Sequence, residues 1–259
     1  MKQFQTAVKF SLKEQLANRF ALGLLVIFIP MWYWLLGVIT PGDAVPFKFG
    51  PTGALLQVNG HKLVLLTAGL NGLAMILGFM FFHSAHKSLA FDKRLTRSGL
   101  GRVSLIMAKA LALGATTAIL ALYTLLILLA FWHTPNNMLE VWLGFWSVSL
   151  IYGAFGLLLG MLLNSELAGF FIIIMLSQID TGLQVPIGNP AANKAFLKLF
   201  PSYGSEQLST AGGFTHVFAG KDLLMSLVWF VGFLLVALGI FATRTRRKSS
   251  LQNTRKTEQ

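Results

Sequence analysis

Residues 63–82, LVLLTAGLNGLAMILGFMFF, decide the fold class of this chain. The segment contains no charged side chain over about 20 residues, the length that a helix needs to cross the hydrocarbon core of a bilayer. The residues that follow, HSAHKSLAFDKRLTR at 83–97, are strongly basic. An apolar segment of this length that ends in a basic one is typical of a transmembrane helix entering the cytoplasm.

The composition extends this interpretation to the whole chain. Of the 259 residues, 55% are hydrophobic and only 12% are charged, whereas soluble domains carry about 25% charged residues. The mean hydropathy is +0.67. The chain contains no cysteine, so it has no disulfide framework, no thiolate metal site and no cysteine nucleophile. We therefore expect a multi-pass, all-α membrane protein.

Uninterrupted apolar runs predict six transmembrane helices, and small residues predict where two of them pack closely. The predicted spans are residues 20–39, 63–82, 110–132, 141–163, 167–180 and 223–243. The fifth run is short, because about 14 residues rise only about 21 Å in a helix. In the fourth span, Gly156 and Gly160 are four residues apart, a spacing typical of close helix contact.

The distribution of lysine and arginine predicts the orientation. Most of these 21 residues lie before the first span, between the second and third spans, or in the tail at 244–259. By the positive-inside rule, both termini are cytoplasmic. The net charge of +12 then forms a collar beside anionic lipid, and a nucleic-acid partner is not expected.

The segments outside the spans carry their own patterns. Residues 1–19 repeat Phe4, Val8, Leu12 and Leu16 every four positions, which favours an interfacial helix over a frayed N-terminus. Residues 40–62 are rich in glycine and proline and predict a turn-rich cap. Residues 84–98 predict either a short basic helix that docks on a soluble partner or a solvated loop.

The long connection at residues 181–222 predicts two short helices. Asn189 and Pro190 fit the N-cap and first position of a helix over 191–200. A second piece near 205–210 ends before Gly212 and Gly213. We expect both pieces to lie on the outer leaflet or to dip into it.

The sequence offers little chemistry of its own. None of the nine acids pairs with another on one helix face, and no hydrolase, zincin or phosphate-loop motif occurs. His83 and His86 are three residues apart, but no carboxylate lies near them in sequence, so no metal site is expected. We predict a chain without enzymatic activity that binds no cofactor itself.

Very few ionisable residues fall inside the predicted spans. Asp180 and Glu166 lie at the two ends of the fifth span, and Lys109 can extend its amine towards the interface from the third. An ion-coupled carrier needs a titrating group near the midplane, so its absence disfavours that class. The candidates for a substrate pathway are Asn71, Ser177, Gln178 and Asp180, and the alternative use of such residues is hydrogen bonding between helices.

The ordered layout resembles the permease subunit of bacterial type-2 ATP-binding-cassette exporters. An amphipathic segment ends near Arg19, and six spans follow. The segments that carry the resemblance are Phe91-Asp92-Lys93-Arg94-Leu95, Gly99-Leu100-Gly101-Arg102, Asn164-Ser165-Glu166, Gly182-Leu183-Gln184-Val185-Pro186 and Leu199-Phe200-Pro201-Ser202-Tyr203. The resemblance covers nearly the whole chain.

The resemblance implies a single transmembrane domain over residues 1–259 in a bacterial inner membrane. It also implies a homo- or heterodimer of permeases seated on separately encoded ATPase subunits that hold ATP and magnesium. The segment after the second span would be the coupling helix that contacts the ATPase, and residues 190–210 would form an outer re-entrant hairpin. The candidate coupling residues are Lys87, Phe91, Asp92, Lys93, Arg94, Leu95 and Arg97.

Two other functions stay open at the level of sequence. An ion-coupled secondary transporter would require Asp180 and would work without an ATPase. A non-transporting sensor or assembly protein would also fit the apolar spans.

Overall fold

The computed structural model describes residues 2–17, 19–97, 101–187, 189 and 192–246. Most of the predicted basic tail, from residue 247 onwards, lies outside this part of the chain, as do the positions of Ser98, Gly99 and Pro190.

Long helices dominate the described residues. They are α1 (Lys2–Ala17), α2 (Arg19–Ile39), α3 (Gly60–Arg97), α4 (Arg102–Phe131), α5 (Met138–Leu162), α6 (Glu166–Gly182), α7 (Tyr203–Phe214) and α8 (Gly220–Arg246). Of these, α2, α3, α4, α5 and α8 are long and apolar enough to cross a membrane. The chain is therefore a multi-pass helical membrane protein, as predicted.

Every predicted span coincides with a helix, but the count of six crossings is not confirmed. The predicted fifth span corresponds to α6, which has 17 residues and rises only about 26 Å. Its first turn is well formed, because the Ser165 hydroxyl caps it by accepting from the Ala168 amide. Five of the six predicted spans are therefore long and apolar enough to cross a membrane, and the crossing by α6 stays a prediction.

A two-stranded hairpin lies in the predicted turn-rich cap. Strand β1 (Ala44–Lys48) pairs antiparallel with β2 (Leu55–Asn59). Between them Gly53 adopts a positive φ of 70°, a conformation that glycine reaches without strain. Phe47 and Val58 are buried against Leu63 at the start of α3. The all-α prediction therefore missed a small β element.

Helix α3 overturns the prediction of a separate short helix near residues 84–98. It continues without a break from Gly60 to Arg97, and residues 79–97 contain no glycine or proline that would end it. Its 38 residues rise about 57 Å, nearly twice the thickness of a hydrocarbon core. One rigid element therefore joins the hairpin end of the bundle to its basic end.

The core lies between α3 and α5. A Cβ atom added at Gly156 would lie 2.1 Å from the Gly78 carbonyl oxygen, and one at Gly160 would lie 2.4 Å from the Phe82 carbonyl oxygen. The two backbones approach so closely that only glycine fits at these two positions, which confirms the packing role predicted for Gly156 and Gly160. Helices α2 and α8, by contrast, expose most of their apolar surface.

The connection at 183–219 differs from the sequence prediction in detail. Asn189 is not a helix N-cap, because its side-chain amide donates to the Leu183 carbonyl and the next helical turn is a 3₁₀ segment at Ala195–Leu199. Helix α7 begins earlier and ends later than predicted, including both Gly212 and Gly213. It is buried along residues 203–213 against α5 and α8 instead of lying on the protein surface.

Candidate functional site

A group of polar side chains, all buried except Gln178 at its edge, lies where α3, α5, α6 and α7 meet, towards the hairpin end of the bundle. We call this group the α6–α7 polar cluster. Its members are Thr67, Asn71, Tyr152, Gln178, Asp180, Thr181, Gln184, Ser202 and Glu206. A buried polar group is costly unless it is hydrogen-bonded, and most of these side chains bond to one another.

Asp180 lies at the centre of the cluster and is only 3% exposed. Its Oδ1 accepts from the Ser202 hydroxyl at 2.8 Å and from Gln184 Nε2 at 3.3 Å. Its Oδ2 accepts from the Tyr152 hydroxyl at 2.7 Å and from the Ser202 amide at 3.0 Å. All four donors are neutral. Within the described residues, no lysine, arginine or histidine forms an ion pair with Asp180.

Asn71 on α3 bonds to two cluster members on α6, Gln178 and Thr181. Its amide donates to Gln178 at 3.1 Å and to the Thr181 hydroxyl at 2.7 Å, and Gln178 donates back to Asn71 Oδ1 at 3.1 Å. Ser177 is buried, but its hydroxyl donates to the Ile174 carbonyl of its own helix. The fold thus brings together three of the four predicted pathway residues, and Ser177 bonds elsewhere.

Glu206 on α7 is a second buried acid, 1% exposed. Its Oε1 accepts from the Thr67 hydroxyl at 2.7 Å, while its Oε2 has no hydrogen-bond partner in the described structure. Burial raises the pKa of Glu206 to about 7, the Thr67 bond opposes this rise, and the negative charge of Asp180 adds to it. The protein interior therefore holds two acids, Asp180 at the end of the fifth predicted span and Glu206 in the connection that follows it.

A cavity of about 130 Å³ adjoins Asp180 between α5, α6 and α8. Leu176 and Ile179, on its α6 side, are 44% and 49% exposed, so the cavity borders the outer surface of the helical bundle. Its lining is apolar except for Asp180 and the Tyr152 hydroxyl. The lining residues are Ile151, Tyr152, Phe155, Leu176, Ile179, Asp180, Phe200, Pro201 and Phe233.

A different polar group lies at the basic end of the bundle. Lys109 on α4 forms a buried ion pair with Asp92 on α3 and also donates to Ser88. The sequence predicted that Lys109 would extend towards the interface, whereas the structure pairs it with an acid inside the protein. Glu14 on α1 lies nearby and accepts from Ser84 at 2.8 Å. Burial raises the pKa of Glu14, although Lys109 partly opposes this.

The candidate coupling residues occupy the end of α3. Lys87, Phe91 and Arg94 are exposed and follow one face at a helical spacing of four and three residues. The Phe91 ring stacks on Phe10 of α1 with centroids 5.3 Å apart. The other members are the half-buried Lys93 and Leu95, the buried Asp92, and Arg97, whose side chain lies outside the described part.

The histidines near this end do not form a metal site in the described residues, where no group of three or more metal-ligating His, Cys, Asp or Glu side chains occurs. One sequence argument was nevertheless wrong. Glu166, from the start of α6, lies 3.9 Å from His83, so a carboxylate does approach the histidine. The His83 side chain is 24% exposed and the Glu166 side chain is 54% exposed, so this single contact lies at the protein surface.

Sequence reasoning missed the partners that complete the cluster: Thr67, Tyr152, Thr181, Gln184, Ser202 and Glu206. Four of these residues lie in the long connection predicted at 181–222, which the sequence predicts to lie on the outer leaflet or to dip into it. The available signal was the run Ser202, Ser205, Glu206, Gln207, Ser209 and Thr210. So many polar residues in one short helix of an apolar chain predict contact with other polar groups.

The fold and the cluster define a class: a helical, multi-pass membrane protein with a polar cluster beside a cavity at the surface of the bundle. No protein-family model matches the chain, and no curated protein is similar enough to count as a relative. The function is therefore argued from the residues themselves.

Proposed function

We propose that the chain is the membrane-spanning permease subunit of a transporter that is driven by a separate ATPase. The observation that carries this proposal is the continuous helix α3. It contributes Thr67 and Asn71 to the α6–α7 polar cluster at one end and the exposed basic residues at the other. A displacement applied at the basic end would be transmitted to the cluster through one rigid element.

The basic end has the features of a contact surface. Phe91 is 42% exposed and Phe10 is 51% exposed, so their stacked rings present apolar area to the solvent. Lys87 and Arg94 flank this pair on the same face of α3. Aromatic and arginine side chains are those that most often dominate the binding energy of an interface. The face therefore suits a soluble protein partner.

The buried Lys109–Asp92 ion pair supports the same proposal. It ties α3 to α4 just behind the exposed face, so a force on Phe91 would move both helices together. Glu14 and Gln15 of α1 also bond to Ser84 of α3. Three helices are thus joined at the basic end.

The test is co-purification with the ATPase encoded by the neighbouring gene. Phe91→Asp should reduce the recovered ATPase at least tenfold, because it places a carboxylate in the apolar contact. Phe218→Asp is the matched control, since Phe218 is also exposed, at 56%, but precedes α8 at the opposite end of the bundle. Leu95 is unsuitable, because it packs in the core beside Leu105 and Phe241. Equal recovery with both variants would contradict the proposal.

One observation favours an ion-coupled carrier as a second candidate. Asp180 and Glu206 are buried together without a cation, and carboxylates in such surroundings are common in proton relays. This candidate predicts solute uptake into proteoliposomes that contain the chain alone, driven by a proton gradient and lost in Asp180→Asn. Transport only with ATPase and ATP would reject it.

A further inference from the structure

We propose that the cavity beside Asp180 binds a quaternary ammonium group that enters from the membrane. If the bound group is also the transported substrate, that part of the inference rests on the proposed function. The binding of quaternary ammonium to the cavity does not depend on it.

The first argument is the aromatic lining. Tyr152, Phe155, Phe200 and Phe233 all border the cavity. Phe155 lies in contact with two of these rings, with centroids 6.2 Å from Tyr152 and 5.2 Å from Phe233. The faces of aromatic rings attract cations, and groups of such rings recognise quaternary ammonium. Four rings around one cavity therefore favour a cationic ligand over a purely apolar one.

The second argument is the charge. Asp180 is the only ionisable carboxyl among the lining residues, and no cation of the described chain pairs with it. An anionic ligand would be repelled, whereas a cation would supply the missing counter-charge.

The third argument selects the kind of cation. A carboxylate offers about four acceptor positions, and Ser202, Gln184 and Tyr152 already donate four hydrogen bonds to Asp180. A primary ammonium would enter with three N–H groups, for which the lining offers only the Tyr152 hydroxyl oxygen besides the fully used carboxylate, so unsatisfied donors would be buried. A quaternary ammonium has no N–H group and needs only the negative potential. The geometry thus selects the quaternary form.

Size and position agree with this choice. The cavity volume of about 130 Å³ is close to that of an engineered apolar cavity that accepts benzene, and a trimethylammonium group is of similar bulk. The half-exposed Leu176 and Ile179 border the cavity on its lipid side. An apolar tail attached to the ammonium group could therefore remain in the bilayer.

The test is equilibrium binding of benzyltrimethylammonium to the purified chain in dodecyl maltoside, measured by calorimetry. Benzylammonium and benzenesulfonate are the matched ligands. We expect benzylammonium to bind at least tenfold more weakly and benzenesulfonate not to bind. Equal affinity for the two cations, or binding of the sulfonate, would overturn the proposal.

Two variants locate the site. Asp180→Asn should weaken benzyltrimethylammonium binding at least tenfold. Phe233→Leu should weaken it about twofold to thirtyfold, the range of one cation–π contact, and it leaves the hydrogen bonds of Asp180 intact if Asp180→Asn does not fold. Phe230→Leu, on the same helix but outside the cavity lining, is the control. Unchanged binding in Phe233→Leu would refute the assignment.

Quaternary ammonium could come from a free amphiphile or from the headgroup of a choline lipid. Added phosphatidylcholine should displace benzyltrimethylammonium if the headgroup occupies the site, and should leave it bound if only free amphiphiles do. Both results support the binding of a quaternary ammonium group in this cavity. Because no ATPase is present in the binding experiment, absence of benzyltrimethylammonium binding would refute the site alone, and equal ATPase recovery with Phe91→Asp and Phe218→Asp would refute the transport function alone.

Discussion

Replacing Glu206 by glutamine should make the protein more stable at alkaline pH and nearly unchanged at acid pH. The pKa of this carboxyl rises from 4.5 to about 7 in the folded chain, chiefly through burial. Between these two values, the folded state binds more protons than the unfolded state. Stability therefore falls as the pH rises from about 4.5 to about 7, and it levels off above about pH 8.

The magnitude follows from the same shift. Each unit of pKa difference corresponds to about 1.4 kcal/mol, so the folded protein loses about 3 kcal/mol across this pH range. Glutamine stays neutral and keeps an oxygen that can accept from the Thr67 hydroxyl, which is 2.7 Å from Glu206 Oε1. The variant should exceed the parent protein by about 3 kcal/mol at pH 8, or about 6–12 °C in melting temperature, and by less than about 1 kcal/mol at pH 5.

The assay is thermal unfolding in detergent from pH 5 to pH 8, followed by intrinsic fluorescence. Asp43→Asn is the control, because Asp43 is exposed just before β1, so its replacement should leave the pH profile unchanged. Parallel profiles for Glu206→Gln and the parent protein would show that Glu206 is ionised in the folded state at neutral pH, and the argument from burial would fail.

Three further perturbations test the rest of the structure. Lys109→Met should destabilise the protein by about 3–5 kcal/mol, because it leaves Asp92 buried without its partner; the double variant with Asp92→Leu should recover most of this loss in thermal unfolding. Gly156→Ala should lower the melting temperature, because the added Cβ would lie 2.1 Å from the backbone of α3. Gly239→Ala is the control: open space surrounds Gly239, so the melting temperature should stay the same or rise slightly. Since the chain has no cysteine, Thr52→Cys provides a single site for labelling in the hairpin turn. A membrane-impermeant maleimide should modify this cysteine in intact cells. Modification only after permeabilisation would reverse the predicted orientation.

The hydrophobic spans were the most predictable part of the fold. All six apolar runs correspond to helices, and their ends agree with the structure within a few residues for α2 and α5. The prediction was weaker where a charged helix continued an apolar one. The apolar run ends at Phe82 and predicts that the helix ends there, but α3 continues to Arg97 because residues 83–97 contain no glycine or proline to break it.

The candidate site was only partly predictable, because its residues come from distant parts of the chain. Asn71, Gln178 and Asp180 stood out as polar residues in apolar runs. Glu206 did not, since it lies in a connection whose burial depends on how α7 packs against α5 and α8. The sequence separation of 139 residues between Glu206 and Thr67 leaves no local pattern that could reveal their contact.

By itself, the sequence determined that the chain enters a membrane and which segments are helical, because the free energy of transferring a segment into lipid sums over neighbouring residues. Only the tertiary structure decided which polar groups meet. The pairing of Lys109 with Asp92, and the enclosure of Asp180 by Tyr152 and Ser202, depend on how helices far apart in sequence are rotated and placed against one another. Those contacts are fixed by the packing of whole helix faces, which no single segment specifies.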